Sequence, residues 1–182
     1  MNGKVIQIVK SKVFWFFLIV IVLVVGFRSY VGQPIQVRGE SMEDTLCAND
    51  LVWLDKGAYR KQDPNRNDIV VVRTADKKQQ YIKRVIGLPG EKVKIKQGAV
   101  YINGEPLEEI AEFETMEDAG MAQNAIVLKE NEYFLLGDNR NNSKDSRHVE
   151  LGIVNRKQIK GCVKKRIFPL NKLGDIKVRI EE

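Results

Sequence analysis

One long uncharged apolar run, residues 13–27, constrains the architecture of this chain more than any other feature. The run has fifteen residues, whereas a membrane-spanning helix needs roughly 18–20. Tyr30 and Val31 extend the run if Arg28 bends its charged end toward the membrane surface. We therefore predict one N-terminal transmembrane helix over residues 13–31.

The flanks of the apolar run predict how the chain is oriented. A charged start and an apolar core also fit a cleaved signal peptide, but residues 26–30 (Gly-Phe-Arg-Ser-Tyr) offer no small-x-small cleavage site. The run is therefore interpreted as a retained signal anchor. Three lysines before it place residues 1–12 in the cytoplasm by the positive-inside rule. Residues 33–182 then form an extracytoplasmic domain of a single-pass protein of the cell membrane.

Beyond the anchor, short segments of β-like sequence alternate with turn signals. Residues 69–73 are a β-branched run typical of a strand that is buried on both faces. Asn103-Gly104 favours a type I′ hairpin turn, and residues 159–168 predict the last long strand. The fold class predicted is mainly β: an antiparallel β-sheet domain with a small β-rich excursion near residues 104–125, preceded by the transmembrane helix.

Residues 107–118 interrupt the strand pattern with six acids among a few apolar residues. The segment is consistent with one or two turns of amphipathic helix, or with an excursion from the sheet. We interpret its charge as a solvated face.

Composition limits the partners of the chain. Its 182 residues suffice for one domain with its own core. The formal net charge is +6, but the lysines are scattered among acids and no aromatic–basic motif for nucleic acid is present. We therefore expect no nucleic-acid partner and favour contact with anionic lipid. Cys47 and Cys162 show neither metal-ligand nor C-x-x-C spacing, and we favour two unpaired thiols.

Ser41, in the segment 39–46, is a candidate nucleophile placed shortly after the anchor. A serine hydroxyl stays protonated near neutral pH, so it needs a base. The one histidine is His148, and no nucleophile-elbow sequence surrounds Ser41. Because Arg147 precedes it, His148 is better interpreted as a surface or strand-edge residue.

The alternative base is a lysine of lowered pKa. Free lysine is less than about 1% neutral at pH 7–8, but burial lowers its pKa by roughly 3–5 units. Lys83 is the best candidate, since strand alternation places it on one face with Tyr81 and Val85. The residues alone leave two interpretations open, an exposed lysine and a desolvated base, and the first is the more common.

Residues 137–147 are dense in Asp, Asn, Gly and Ser, as in a tight surface loop. Asp138, Asn139 and Asp145 are potential calcium ligands, but the twelve-residue loop with its closing glutamate is missing. The sequence predicts no metal and no cofactor. It offers instead hydroxyl groups and an Asp145–Arg147 pair that would brace a neighbouring site.

Three of these stretches together resemble type I signal peptidases, the bacterial membrane-bound Ser/Lys proteases. Gly-Glu-Ser-Met-x-x-Thr-Leu at 39–46 is similar to the nucleophile segment of the family, and Tyr-Ile-Lys-Arg-Val-Ile-Gly-Leu-Pro-Gly at 81–90 to its lysine segment. Gly-Asp-Asn-Arg-x-x-Ser-x-Asp-Ser-Arg at 137–147 matches its third motif. Residues 68–71 fit the strand between the first two. The order, the spacing and the anchor make the resemblance specific.

The resemblance implies a mechanism and a substrate. Ser41 would attack the scissile carbonyl of a preprotein to form an acyl-enzyme, with its backbone N–H as an oxyanion donor. Lys83 would be the general base. Ser143 would orient the Lys83 amine, and an Asp145–Arg147 salt bridge would brace the loop. Substrates would be signal peptides with small residues at positions −1 and −3.

The chain departs from the family pattern at three positions. Asp44 stands where the family usually has a proline that stiffens the turn. Gly39 stands where some relatives have a serine as second oxyanion donor, so that donor is unassigned. Glu91 replaces a common aspartate.

Two other classes of function are weighed against the peptidase. One is a Ser/Lys self-cleaving protease of the repressor type, which would need a DNA-binding domain and an internal scission site. The other is an anchored, non-catalytic β-domain that binds secreted chains, for which Asp44 is the one feature in favour.

Overall fold

The computed structural model describes residues 11–43, 45–74, 76 and 78–176. The described part begins with one long helix, α1 (Lys12–Tyr30), whose apolar side chains are exposed. Most of the predicted cytoplasmic segment 1–12 lies outside the described residues. In the described part of the chain, no helix has both the length and the apolar character needed to cross a membrane. The transmembrane assignment of residues 13–31 stays a prediction.

Two antiparallel sheets follow α1. Among the described residues, eight strands form the larger sheet: β1 (Gly32–Gln36), β2 (Leu51–Asp55), β3 (Ile69–Arg73), β4 (Gln80–Gly87), β9 (Glu132–Leu136), β10 (Val154–Asn155), β11 (Ile159–Phe168) and β12 (Gly174–Asp175). Their spatial order is β1-β2-β11-β3-β4-β9-β10, with β12 on β11. The smaller sheet has the order β7-β6-β5-β8, from β5 (Lys92–Lys96), β6 (Ala99–Ile102), β7 (Glu105–Pro106) and β8 (Ile126–Val127).

Alternation along β3 explains why the larger sheet is covered on both sides. Val70 and Val72 pack in one buried cluster with Val85 of β4, whereas Ile69 and Val71 pack in another on the opposite face. The prediction that residues 69–73 are buried on both faces is thereby confirmed. A third cluster joins the smaller sheet to β9. As a result, residues 83–87 of β4 are buried on both faces of the strand.

The hairpin between β6 and β7 has the predicted turn. Asn103 (φ 55°) and Gly104 (φ 98°) both adopt positive φ, as a type I′ turn requires. Asparagine tolerates the left-handed region better than most residues. The turn sets the register in which Ile102 faces Glu105.

The structure confirms a mainly β, antiparallel fold, decides between the two alternatives for residues 107–118 and adds one strand. Residues 107–118 contain no helical turn; they form an irregular segment with bends that leads to a short 3₁₀ helix, Gly120–Gln123. Residues 32–36, to which the sequence assigned no element, form strand β1, which pairs with β2 from Gly32–Asp55 to Gln36–Leu51. Proline at position 34 is compatible with this edge position.

Candidate active site

The turn after β1 presents Ser41. Glu43 N donates to Glu40 O (2.9 Å) and Leu46 N to Met42 O (2.7 Å), so the backbone winds tightly around the serine. Met42 and Leu46 are 2% and 0% exposed and fix the turn in the core. The apolar side chains point inward, which leaves the Ser41 hydroxyl at the surface of a cavity. Asp44, whose effect on this turn the sequence raises, lies outside the described residues.

Strand β4 supplies Lys83, which is 1% exposed despite its charge. Its neighbours along the same face are Val85, fully buried, and Tyr81, whose ring centroid lies 5.7 Å from the ammonium nitrogen. Lys83 Nζ lies 2.5 Å from Ser41 Oγ and donates a hydrogen bond to it. The structure thus brings together two side chains that are 42 positions apart.

Burial changes the chemistry of this amine. Loss of hydration disfavours the ammonium form and, assisted by the charge of Arg147, lowers the pKa of Lys83 to about 8. The charges of Asp145 and Asp138 oppose the shift but do not cancel it. A substantial fraction of Lys83 is therefore neutral in mildly alkaline solution, as a general base must be.

The loop 137–147 closes the site from the other side. Asn139 N donates to Ser41 O (3.3 Å), and Asn142 Nδ2 donates to Glu40 Oε2 (3.1 Å). Gly137 makes this approach possible, because a β-carbon there would collide with Ser41 O and Ser143 Oγ. The loop is thereby held directly against the backbone that presents the serine.

Ser143 lies in this loop, 8% exposed, and lines the same cavity as Ser41 and Lys83. It lies close enough to Asp145 to help lower the pKa of that carboxyl, but its Oγ is outside the geometry of any hydrogen bond. In this structure Ser41, and not Ser143, accepts the hydrogen bond of the Lys83 amine. The hydroxyl of Ser143 is thus a buried polar group in the site with unused hydrogen-bonding capacity.

Asp145 and Arg147, two residues of this loop, form a buried ion pair. Two hydrogen bonds of 2.9 Å join Arg147 Nε and Nη2 to the two carboxylate oxygens. Burial works to raise the pKa of Asp145, but the hydrogen bonds and charge of Arg147 outweigh it, with help from Gly137 N, and the pKa is lowered. Asp145 is therefore ionised at neutral pH, and its carboxylate accepts from the backbone at both ends of the loop.

A second buried cluster was not recognised from the sequence. Arg84, 2% exposed, donates through Nε and Nη2 to both oxygens of Asp138 (2.8 and 2.5 Å). Thr45 Oγ1 donates to the same carboxylate (2.5 Å), and Arg84 Nη1 donates to Asn67 O (2.9 Å). Thr45, Arg84 and Asp138 each lie inside one of the three motifs, and this was the signal available in the sequence. The cluster ties the serine segment, the lysine strand and the loop together.

His148 takes no part in the contact between Ser41 and Lys83. Its ring is 34% exposed, with Nδ1 3.7 Å from Asp145 Oδ1 and Nε2 4.0 Å from Asp118 Oδ2. Among the described residues, no group of three or more His, Cys, Asp or Glu side chains is arranged to hold a metal ion. The carboxylates considered as calcium ligands are engaged by arginines. Cys47 and Cys162 are free thiols.

Two adjoining cavities meet at Ser41. One, of about 400 Å³, is lined by Ser41, Lys83 and Ser143 among others. The other, of about 590 Å³, runs between the segment that precedes Ser41 and the start of β4, with Ile35, Val71 and Ile82 in its wall. The second is a groove in which these apolar side chains alternate with polar ones such as Gln36 and Lys78, and Ser41 forms part of its wall. Its size and mixed lining suit an extended peptide.

Comparison with known proteins places this arrangement in a family. Residues 10–168 match the family described as signal peptidase, peptidase S26. A signal peptidase I P of Bacillus subtilis subsp. natto is 35% identical over 167 residues, covering 88% of this chain and 90% of the relative. A probable signal peptidase I-2 of Synechocystis sp. is 36% identical over 162 residues, covering 85% of this chain and 71% of the relative.

Among solved structures, a signal peptidase I from Enterococcus faecalis matches with 32% sequence identity and a TM-score of 0.46, covering 56% of this chain and 97% of that one. The family match extends over all three motif segments, from the apolar run to the end of β11. The chain belongs to the signal peptidase family, peptidase S26, and is a serine endopeptidase.

Proposed function

We propose that this protein removes N-terminal signal peptides from exported preproteins with Ser41 as nucleophile and Lys83 as general base. The observation that supports this most directly is the 2.5 Å hydrogen bond between Lys83 Nζ and Ser41 Oγ, made by a lysine that is 1% exposed. Burial lowers the pKa of a lysine held in that position, and the Ser41 hydroxyl is its hydrogen-bond partner among the described residues. Relatives named signal peptidase I support the substrate class.

The proposed reaction begins with neutral Lys83, which takes the Ser41 proton as Oγ attacks the scissile carbonyl. Lys83 then returns the proton to the leaving amine, and an acyl-enzyme on Ser41 remains. A water molecule replaces the departed amine, loses a proton to Lys83 and attacks the ester carbonyl. Lys83 then returns that proton to Ser41 Oγ as the carboxyl product leaves. While Ser41 carries the acyl group, its Oγ no longer accepts the hydrogen bond of the Lys83 amine. Ser143 Oγ, which is buried and makes no hydrogen bond among the described residues, would then accept it.

The oxyanion of the tetrahedral intermediate would be bound by the Ser41 backbone N–H. A single donor of this kind has been worth about 2.7–4 kcal/mol in other serine proteases. Gly39, at the position of a second donor in some relatives, has no side chain to contribute and adopts φ 79°. The second donor is therefore unassigned.

The substrate would bind as an extended strand in the groove beside β4. Strand β9 pairs with Arg84, Val85 and Gly87, so none of the described strands pairs with that edge of residues 80–83. An added strand there would gain backbone hydrogen bonds. Alternate side chains of this substrate strand, those at −1 and −3, would enter the groove next to Ser41. We propose that small residues are preferred at these two positions.

We also propose that α1 is the signal anchor of the enzyme, with residues 1–12 in the cytoplasm and the β domain outside. The apolar side chains of α1 are exposed, a costly arrangement in water. At its C-terminal end Phe27 packs against Trp53 of β2, and Arg60 lies over the Tyr30 ring. These contacts would hold the catalytic domain close to a bilayer.

The decisive experiment incubates the detergent-solubilised protein with a preprotein and follows the mature product. Ser41→Ala and Lys83→Ala should each lower the cleavage rate by at least about 10⁴-fold, because either change removes the nucleophile or its base. Lys94→Ala, at an exposed position of β5, is the matched control and should cleave normally.

Each competing function predicts a different outcome. A self-cleaving protease would fragment itself and leave the preprotein intact, and a binding domain would yield no product. Normal cleavage by either Ser41→Ala or Lys83→Ala would show that the dyad is misassigned.

A further inference from the structure

The acidic segment 107–118 crosses the outside of the loop 137–147 and is attached at both ends to the smaller sheet. Leu107 N donates to Val100 O (2.8 Å), and Met116 N donates to Gly98 O (3.2 Å). Met116 is 4% exposed in the cluster beneath that sheet. The segment is therefore a strap with fixed ends, and its middle is free to contact the loop.

At the middle of the strap, Glu109 and Phe113 enclose Arg140 of the loop. Both terminal nitrogens of the guanidinium donate to Glu109, Nη1 at 2.8 Å from Oε1 and Nη2 to Oε2. The guanidinium carbon lies 4.2 Å from the centroid of the Phe113 ring. Arg140 is 2% exposed, so both contacts act where water is excluded. The strap supplies the counter-charge and the ring that make burial of this arginine tolerable.

Asn141, the next residue of the loop, is held by the strap as well. Its Nδ2 donates to Glu114 Oε2 (3.2 Å) and Thr115 O (3.1 Å), and its Oδ1 accepts from Glu117 N (3.0 Å). Two consecutive loop residues are thus fixed by side chains and backbone of one segment. The acids of the strap are not simply a solvated face.

Arg140 is connected to the catalytic groups through the backbone. Its carbonyl oxygen accepts a hydrogen bond of 2.5 Å from Arg147 Nη2, and Arg147 pairs with Asp145. The charges of Arg147 and Asp145 act on the Lys83 amine in opposite directions. The loop that Arg140 fixes also lines the cavity around Lys83. A shift of Arg140 would therefore alter both the hydration and the electrostatic balance of Lys83.

We propose that Glu109 and Phe113, acting through Arg140, are positioning residues that hold the active-site loop 137–147 against Ser41 and Lys83. The proposal rests on the Ser/Lys chemistry inferred above. Neither residue touches the reacting atoms. Without the strap, the loop would keep its internal ion pair between Asp145 and Arg147 but lose the contacts of Arg140 and Asn141 that fix its outer side.

Hydrogen exchange tests whether the strap restrains the loop 137–147, and it does not depend on enzymatic activity. Glu109→Gln keeps the shape but removes the counter-charge, and Phe113→Leu removes the ring. In each variant the amides of residues 137–147 should exchange roughly tenfold faster than in the wild type, because a charge-assisted contact restrains local opening. Glu108→Gln, exposed on the same strap, is the matched control and should leave the rates unchanged. Unchanged exchange in Glu109→Gln would overturn the proposal.

Preprotein cleavage tests positioning. We expect Glu109→Gln to lower kcat about tenfold with KM within about twofold, and to move the midpoint of the pH–rate profile upward as water reaches Lys83. Loss of thermal stability with kcat and midpoint unchanged would mean a merely structural contact and would overturn the proposal. Absence of cleavage by the wild-type protein would instead refute the proposed function, and the exchange experiment would still decide on the strap.

Discussion

Two neighbouring side chains on β4 are buried to the same degree but have opposite surroundings. Lys83, 1% exposed, points to the Ser41 side, where a hydroxyl is its hydrogen-bond partner. Arg84, 2% exposed, points to the other side, where Asp138 receives it with two hydrogen bonds. Strand alternation alone places them on opposite faces. On one face of the strand the charge of Arg84 is balanced by a carboxylate. On the other face Lys83 has no carboxylate in hydrogen-bond contact, so burial makes its charged form costly.

Because the two faces differ in this way, one strand serves both stability and chemistry. The guanidinium of Arg84 is paired with a carboxylate and connects three motifs, since Asp138 also accepts from Thr45. An amine without a carboxylate in hydrogen-bond contact loses its proton easily, which a general base requires. Substitutions on the Arg84 face should therefore mainly lower stability. Substitutions on the Lys83 face should mainly change activity and its pH dependence.

Removal of the counter-charge should produce the largest loss of stability. Asp138→Ala leaves the buried Arg84 without its counter-charge, and breaking such a pair costs about 3–5 kcal/mol. Equilibrium denaturation in urea at pH 7 measures the loss. Asp63→Ala is the control, because Asp63 is 78% exposed in its pair with Arg156 and such pairs contribute about 0–1 kcal/mol. Equal losses of stability in the two variants would show that the buried Arg84–Asp138 pair contributes no more than the exposed one.

Replacement of Lys83, the charge without a counter-ion in contact, should instead raise the free energy of unfolding. The pKa of Lys83 falls from the ordinary 10.5 to about 8 on folding, so below pH 8 the folded state holds a proton at a cost. The shift corresponds to about 3 kcal/mol. Between pH 8 and 10.5 the unfolded chain binds more protons, so wild-type stability rises with pH in that window.

We therefore expect Lys83→Met to be more stable than the wild type by up to about 3 kcal/mol at pH 7, with the gain shrinking toward pH 10.5. Denaturant unfolding of both proteins at pH 7 and pH 10 checks this. Lys94→Met, at an exposed site, should change stability little at either pH. A Lys83→Met variant that is less stable than the wild type at pH 7 would show that the burial cost is small.

The same contrast marks what the sequence was able to predict. Alternation and β-branched runs predicted strand β3 and, with the motif, the partnership of Lys83 and Ser41 that the structure places at 2.5 Å. These features depend on local period and on segments with a defined chemical pattern. The strands β10 and β12, of two residues each, are too short for a periodic signal.

The contacts of the acidic strap lay beyond the sequence for a different reason. Glu109 looks like any of the six acids of residues 107–118, and only the tertiary position of Arg140, 31 residues later, makes it distinct. The pairing of Arg84 with Asp138, 54 positions apart, has the same origin. Charges with long-range partners are invisible to local patterns.

The smallest effect expected concerns the pH dependence of the wild-type enzyme. If the uncompensated Lys83 sets the rate, kcat/KM should rise with pH and reach half of its plateau near pH 8. About one tenth of the free enzyme is then neutral at Lys83 at pH 7 and half at pH 8, a rise of roughly fivefold. His148→Gln is the matched control and should leave the midpoint unchanged, because that ring faces Asp145 and Asp118 and not Ser41. A midpoint near pH 6.5 that disappears in His148→Gln would assign the base to histidine and would remove the reason for a buried, unpaired lysine on β4.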